Sequence, residues 1–290
     1  MSQTVKKEVF GATRRGEQAL LFRIPNNTND YIEVTNYGCT IRGIYVHNTK
    51  GALENVVCGL EGLADYEASN PGAIFGGTLG AALAHKVWDV ADTGDNYVFF
   101  VSQCSAEESG CGSAVKVGAR IMWVNLNRLV LDLFVTPQNE TAMTLGTQLA
   151  VGGRNGAALQ VRSFCPQTAR PDGTLCPVEE SRYAGMVFTD AASMTDVFVS
   201  PSEEIKPMAE LADPGAGLYL SAYTTLSSLR LETCGASGGI RLIQETREPV
   251  VLRSGESFTG RAIYGVDYLR PQSPEDDEEP NPMGAFLTGL

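Results

Sequence analysis

Apolar and polar residues alternate with a period of two, or β-branched and aromatic residues cluster, in a series of short runs along the chain. They are YIEVTNY (31–37), TIRGIYV (40–46), NYVFFVS (96–102), AVKVGARIMWV (114–124), RLVLDLFVTP (128–137), ALQVRSF (158–164), DVFVSP (196–201), GLYLSAYTT (217–225), LRLETC (229–234), IRLIQE (240–245) and GRAIYGV (260–266). Gly, Asn, Asp or Pro bounds each run, as strands joined by tight turns require. No stretch of ten or more residues carries the 3.6-residue period of an amphipathic helix. The pattern predicts an all-β chain folded as a large antiparallel β-sandwich. The runs are irregularly spaced and no repeat period emerges, which argues against a propeller or a solenoid.

A chain of 290 residues can bury a large core. No internal linker interrupts the strand pattern, so residues 1–270 are expected to form a single β-sandwich domain. Residues 271–290 form an acidic, proline-rich C-terminal extension, in which SPEDDEEPNP (273–282) carries five consecutive acids. Its simplest reading is a solvated segment that keeps the chain soluble; its functional reading is an acidic docking tail. The apolar end MGAFLTGL offers a way for it to fold back onto the domain.

Charge narrows the partners. Acidic side chains outnumber basic ones by 34 to 22, giving a net charge of -12. Such a surface repels nucleic-acid backbones and anionic membranes. No window approaches eighteen consecutive apolar residues, so no membrane insertion is expected. The start, MSQTVKKEVFGATRRGEQ, lacks the apolar centre of a secretory signal, and a cytoplasmic location is the default expectation. Seven cysteines and two histidines are scattered without ligand-like spacing, so reduced thiols, no metal and no cofactor are expected.

The stretch EVTNYGCTIRGIYVHNTKGALENVVCGLEGLADYEASNP (33–71) resembles the start of the aldose 1-epimerase (galactose mutarotase) family, through Asn36, Tyr37, Gly38, Ile41, Val56, Val57, Gly59 and Tyr66. FGGTLG (75–80), SAEESGCGS (105–113), DPGAGLYLSAYTT (213–225) and VLRSGESFTGRAIYGV (251–266) are similar to later family segments, in the same order. The resemblance implies a β-sandwich of the galactose mutarotase type. It also implies a reaction in which a glutamate base and a histidine acid open and reclose a cyclic hemiacetal, with further polar residues holding the sugar hydroxyls.

Carried over residue by residue, the resemblance places the acid histidine on Gln148, with the following aromatic on Ala150. The family's Gly-Arg-x-x-Asn-Arg motif falls on Gly80, Ala81, Ala84 and His85. Lys86 and Val87 then run straight into Trp88, where the family carries a long loop. The sugar-binding aspartate has Asp190 and Asp196 as candidates. The glutamate base falls on Ile243, or on Glu245 if the register slips by two, a slip that keeps the same strand face.

Two expectations follow. The first is an aldose 1-epimerase-like protein that has lost mutarotase activity and serves as a non-catalytic structural or regulatory subunit, with a protein partner reached through shortened cleft loops. The second is a carbohydrate-binding isomerase acting on the anomeric centre of an aldose or sugar phosphate. Its rebuilt cleft would use Glu245 as the base and His85, Gln148 and Asp196 as sugar-binding residues.

Overall fold

The computed structural model describes residues 4–152, 158–185, 187–190, 195–201, 203–213, 216–233 and 239–268. Strand Val115–Val124 turns through Leu126 and Asn127, both at positive φ, into Arg128–Pro137, and the two pair antiparallel along ten residues. Along the first strand, buried Val117, Ala119, Ile121 and Trp123 alternate with the more exposed Lys116, Arg120, Met122 and Val124. The sequence alternation is thus a two-sided surface, one face against the core.

That hairpin lies within a nine-stranded sheet. Its order is Val187–Asp190, Ala158–Ser163, Lys206–Asp213, Leu218–Thr224, Phe258–Tyr268, Arg128–Pro137, Val115–Val124, Tyr97–Cys104 and Asp89–Thr93. A seven-stranded sheet faces it, in the order Leu175–Pro177, Gln167–Ala169, Thr195–Val199, Ser228–Thr233, Ile240–Glu245, Leu145–Val151 and Phe75–Gly77. A five-stranded sheet runs from Lys6–Ala12 through Gln18–Pro25, Tyr31–Thr35 and Thr40–His47 to Leu53–Asn55. A two-stranded ribbon pairs Thr141–Met143 with Val250–Leu252. The two α-helices among the described residues, Leu63–Ala68 and Gly80–Leu83, are short. This is the expected all-β class.

One buried cluster draws on all three large sheets, joining Phe22 and Ile32, Phe100 and Trp123, and Leu149, Phe198 and Leu242. Phe22 meets Phe100 edge-on at 5.5 Å, bridging the five- and nine-stranded sheets.

The corner Asn36–Tyr37–Gly38 is fastened by both main-chain and side-chain bonds. Asn36 Oδ1 accepts from Leu20 N at 2.7 Å, and its Nδ2 donates to Trp88 O at 2.8 Å. Gly38 has φ 66°, and a Cβ there would sit 2.2 Å from Ala84 O. Glycine is therefore required both by conformation and by space. Gly38 N donates to Lys86 O and Trp88 N to Asn36 O, so the corner and segment 84–88 are sewn together.

No helix among the described residues is long and apolar enough to cross a membrane. Six cysteines among the described residues are free thiols, four of them buried. Residues 271–290, expected as a separate extension, lie outside the described residues.

Candidate functional site

The candidate residues gather, in part, on the seven-stranded sheet. Residues opposite one another across an antiparallel pair point to the same face, and successive rows alternate faces. The rows Asp196–Leu231–Leu242–Leu149 and Phe198–Leu229–Gln244–Thr147 face the core. Between them lies Val197–Arg230–Ile243–Gln148, which points the other way, as do the flanking residues Glu232, Arg241 and Ala150 and the residues Ser228, Glu245 and Gly146.

Gln148 and Glu245 thus share the face turned away from the core. Gln148 lies directly opposite Ile243. Glu245 is one step along, opposite Gly146, on the diagonal from Gln148, a separation of about 7–8 Å at the backbone. Gly146 makes room for it: a Cβ at 146 would come 2.7 Å from Glu245 Cβ. Ile243 and Glu245 lie on one face of their strand, the face that Gln148 shares across the pairing.

Most of the polar side chains here are engaged, although Arg241 Nε is buried without a hydrogen-bond partner among the described residues. Gln148 Nε2 donates to Ala73 O at 2.8 Å. Glu245 Oε1 accepts from Arg230 Nε at 3.3 Å, and Arg230 also pairs with Glu232. Arg241 approaches Glu232 at 4.0 Å. Two arginines and two glutamates therefore cover the centre of this face as an alternating network, partly exposed. Ile243 is 4% exposed, an apolar residue in the middle of the polar group. Arg230, Glu232 and Arg241 escaped the sequence reading. The signal was present, since in LRLET and IRLIQE the charged residues occupy alternate positions between buried leucines and isoleucines.

Asp196 belongs to the opposite face. Its row neighbours Leu231, Leu242 and Leu149 are buried in the core. Its carboxylate is bound by Arg182 at 2.6 Å, beside Tyr183, whose hydroxyl burial pushes above its ordinary range. The side chain of Asp190, the other candidate, lies outside the described residues. The sheet therefore does not bring Asp196 together with Gln148 and Glu245.

His85 is exposed, just beyond the short helix Gly80–Leu83. Its Nδ1 is hydrogen-bonded to Tyr37 Oη at 3.2 Å, and the rings meet edge-on at 6.2 Å. Burial raises the Tyr37 hydroxyl pKa, so it remains protonated. His85 thus packs over the corner. A relay of main-chain and amide bonds separates it from Gln148: Asn70 Nδ2 donates to Ala84 O and to Thr40 Oγ1, and Thr40 bridges Ala73, whose carbonyl holds Gln148.

Two connections are short where the resembled family carries long loops. Lys86 and Val87 lead directly through Trp88 into strand Asp89–Thr93, with Lys86 Nζ held by Glu108 at 2.9 Å. Thr246–Pro249 alone separate Ile240–Glu245 from Val250–Leu252. No group of three or more metal-ligating side chains occurs among the described residues.

No protein-family model matches the chain, and none of the curated proteins compared with it is significantly similar in sequence. Solved structures are similar in fold. A GalM/aldose epimerase homologue from C. elegans superposes with a TM-score of 0.75 at 12% identity, covering 86% of this chain and 99% of that one. A galactose 1-epimerase from Lactobacillus acidophilus gives 0.75 at 14% identity, over 93% of this chain and 100% of that one. A galactose mutarotase-like protein from Lactobacillus casei gives 0.64 at 13% identity, over 85% and 99%. The chain therefore has the galactose mutarotase-type sandwich that its sequence resemblance implied.

Proposed function

We propose that this protein is an aldose 1-epimerase-like chain without mutarotase activity, serving as a structural or regulatory subunit. The observation that carries the reading is the row in which Gln148 stands directly opposite Ile243. Mutarotation needs one group to take the proton of the anomeric hydroxyl and another to protonate the ring oxygen, each worth about 10²- to 10⁴-fold. A glutamine amide serves as neither general acid nor general base near neutral pH, and an isoleucine side chain has no group that can take a proton. The nearest carboxylate, Glu245, is displaced along its strand and bound to Arg230.

The short connection Thr246–Pro249, directly after Glu245, leaves room for a protein partner at this face, and the net charge of -12 disfavours nucleic acid and anionic membranes. Free cysteines suit a cytoplasmic setting.

One feature favours a second reading. Gln148, Glu245 and Arg230 share one face and are only partly buried, so their hydrogen-bonding groups suit the hydroxyls of an aldose or a sugar phosphate in a rebuilt, isomerase-type cleft. Polarimetry on freshly dissolved α-galactose and α-glucose separates the two. In the first reading Gln148→His stays within about tenfold of buffer, because an imidazole opposite an isoleucine still lacks its base. Strong acceleration by that single substitution would favour the second.

A further inference from the structure

Inside the sandwich, directly behind the candidate face, three polar side chains meet. Gln244 lies between Ile243 and Glu245, and Thr147 between Gly146 and Gln148, so both turn inward where their sequence neighbours turn outward. They stand opposite one another across the antiparallel pair. Tyr264 comes from the facing nine-stranded sheet, in a row with the buried Leu129 and Ala222. All three are sealed from solvent: Gln244 and Thr147 are 0% exposed and Tyr264 is 1% exposed. Their surroundings are apolar, with Leu229 and Phe198 continuing the row beyond Gln244 and Phe75 opposite Thr147.

Both polar atoms of the Gln244 amide, and Thr147 Oγ1, lack a hydrogen-bond partner among the described residues. Tyr264 Oη donates to Leu242 O at 3.5 Å, long against the distance of about 2.7–2.8 Å usual for an O–H···O bond. The hydroxyl lies beside the other two groups, since burial raises its pKa and the Thr147 and Gln244 side chains oppose that rise. Polar groups unpaired in an apolar interior are costly, and native proteins pair nearly all of them with protein or with ordered water.

We propose that Gln244, Thr147 and Tyr264 form a binding site for an internal water molecule that bridges the two sheets. Water is the ligand that fits. The three side chains carry no charge that would hold an ion, and they offer both donors and acceptors, as a buried water with two to four polar partners requires. The bridge also gives the pair Leu145–Val151 and Ile240–Glu245 a polar reason for its register. A slip of one residue in either strand would turn Gln244 or Thr147 outward and break it, so the water helps to hold Gln148 and Glu245 on the opposite face. This holds whether or not that face binds a sugar.

A high-resolution crystal structure of the full chain tests this. One density peak is expected within about 3.2 Å of Tyr264 Oη and of a polar atom of Gln244 or Thr147. Absence of such a peak would overturn the proposal, whether the three side chains bond one another directly or stay unpaired. In solution, Gln244→Met combined with Tyr264→Phe keeps the bulk and removes the polar atoms. Oxygen-17 relaxation dispersion should then detect one long-lived internal water fewer than in the unaltered chain, with protected amides in Val115–Val124 and Arg128–Pro137 reporting an intact fold. An unchanged number of long-lived waters in the folded variant would also overturn it.

Discussion

The corner at Asn36–Gly38 and the central row of the seven-stranded sheet meet different demands. At the corner, backbone geometry decides the residue: Asn36 satisfies two main-chain groups and Gly38 takes a conformation and a space that exclude a side chain. In the central row, chemistry would decide it, and the row holds Gln148 against Ile243. In the reading proposed above, the scaffold constraint and the proton-transfer constraint fall on different residues, and the fold persists without the pair that the reaction needs.

Breaking the corner should cost most. Gly38→Val must abandon a positive φ and drive side-chain atoms into Ala84 O and Asn70 Nδ2, so a loss of more than about 3 kcal/mol is expected in urea unfolding. A loss below 1 kcal/mol would show that the corner can relax and that the comparison is overdrawn.

Asp132 on the nine-stranded sheet offers an intermediate case. Burial opposes its ionisation, but hydrogen bonds and charge from Arg261 and Arg120 outweigh it and hold its pKa below the ordinary range. Asp132→Asn should cost about 1.5–3 kcal/mol at pH 7, the scale of hydrogen bonds to a charged group. A depressed native pKa contributes stability above the unfolded pKa of about 3.9, and that contribution disappears as pH falls through the native value. The wild type should therefore lose stability below about pH 4 more steeply than the variant, measured by thermal unfolding from pH 7 down to pH 2.5.

Arg230→Ala on the candidate face should cost least, about 1 kcal/mol or below, because its ion pairs are partly exposed. If instead it costs several kcal/mol, the charged network is part of the scaffold, and the division between frame and face fails.

The legibility of the sequence follows the same line. Strands with one buried face, such as Val115–Val124 and Arg128–Pro137, stand out by alternation. Lys206–Asp213 escaped because KPMAELAD contains proline, alanine and acids that seldom mark strands, and it forms through pairing on both sides. Leu145–Val151 escaped because it is almost wholly buried and carries a glycine, which blurs the alternation. Of the site, strand parity puts Ile243 and Glu245 on one face, whereas the place of Gln148 opposite them depends on strand pairing. The position of Asp196 on the core side likewise depends on which strands pair and in what register. The commitment of His85 to Tyr37 was equally hidden, since the two are 48 residues apart.

The most direct test is two-dimensional exchange NMR on equilibrated galactose, following cross-peaks between the α and β anomers with micromolar purified protein present. Exchange at the rate of buffer alone is expected, with or without Glu245→Gln. Cross-peaks accelerated a thousandfold, and lost in Glu245→Gln or Gln148→Ala, would contradict the separation of frame from chemistry on which this reading rests.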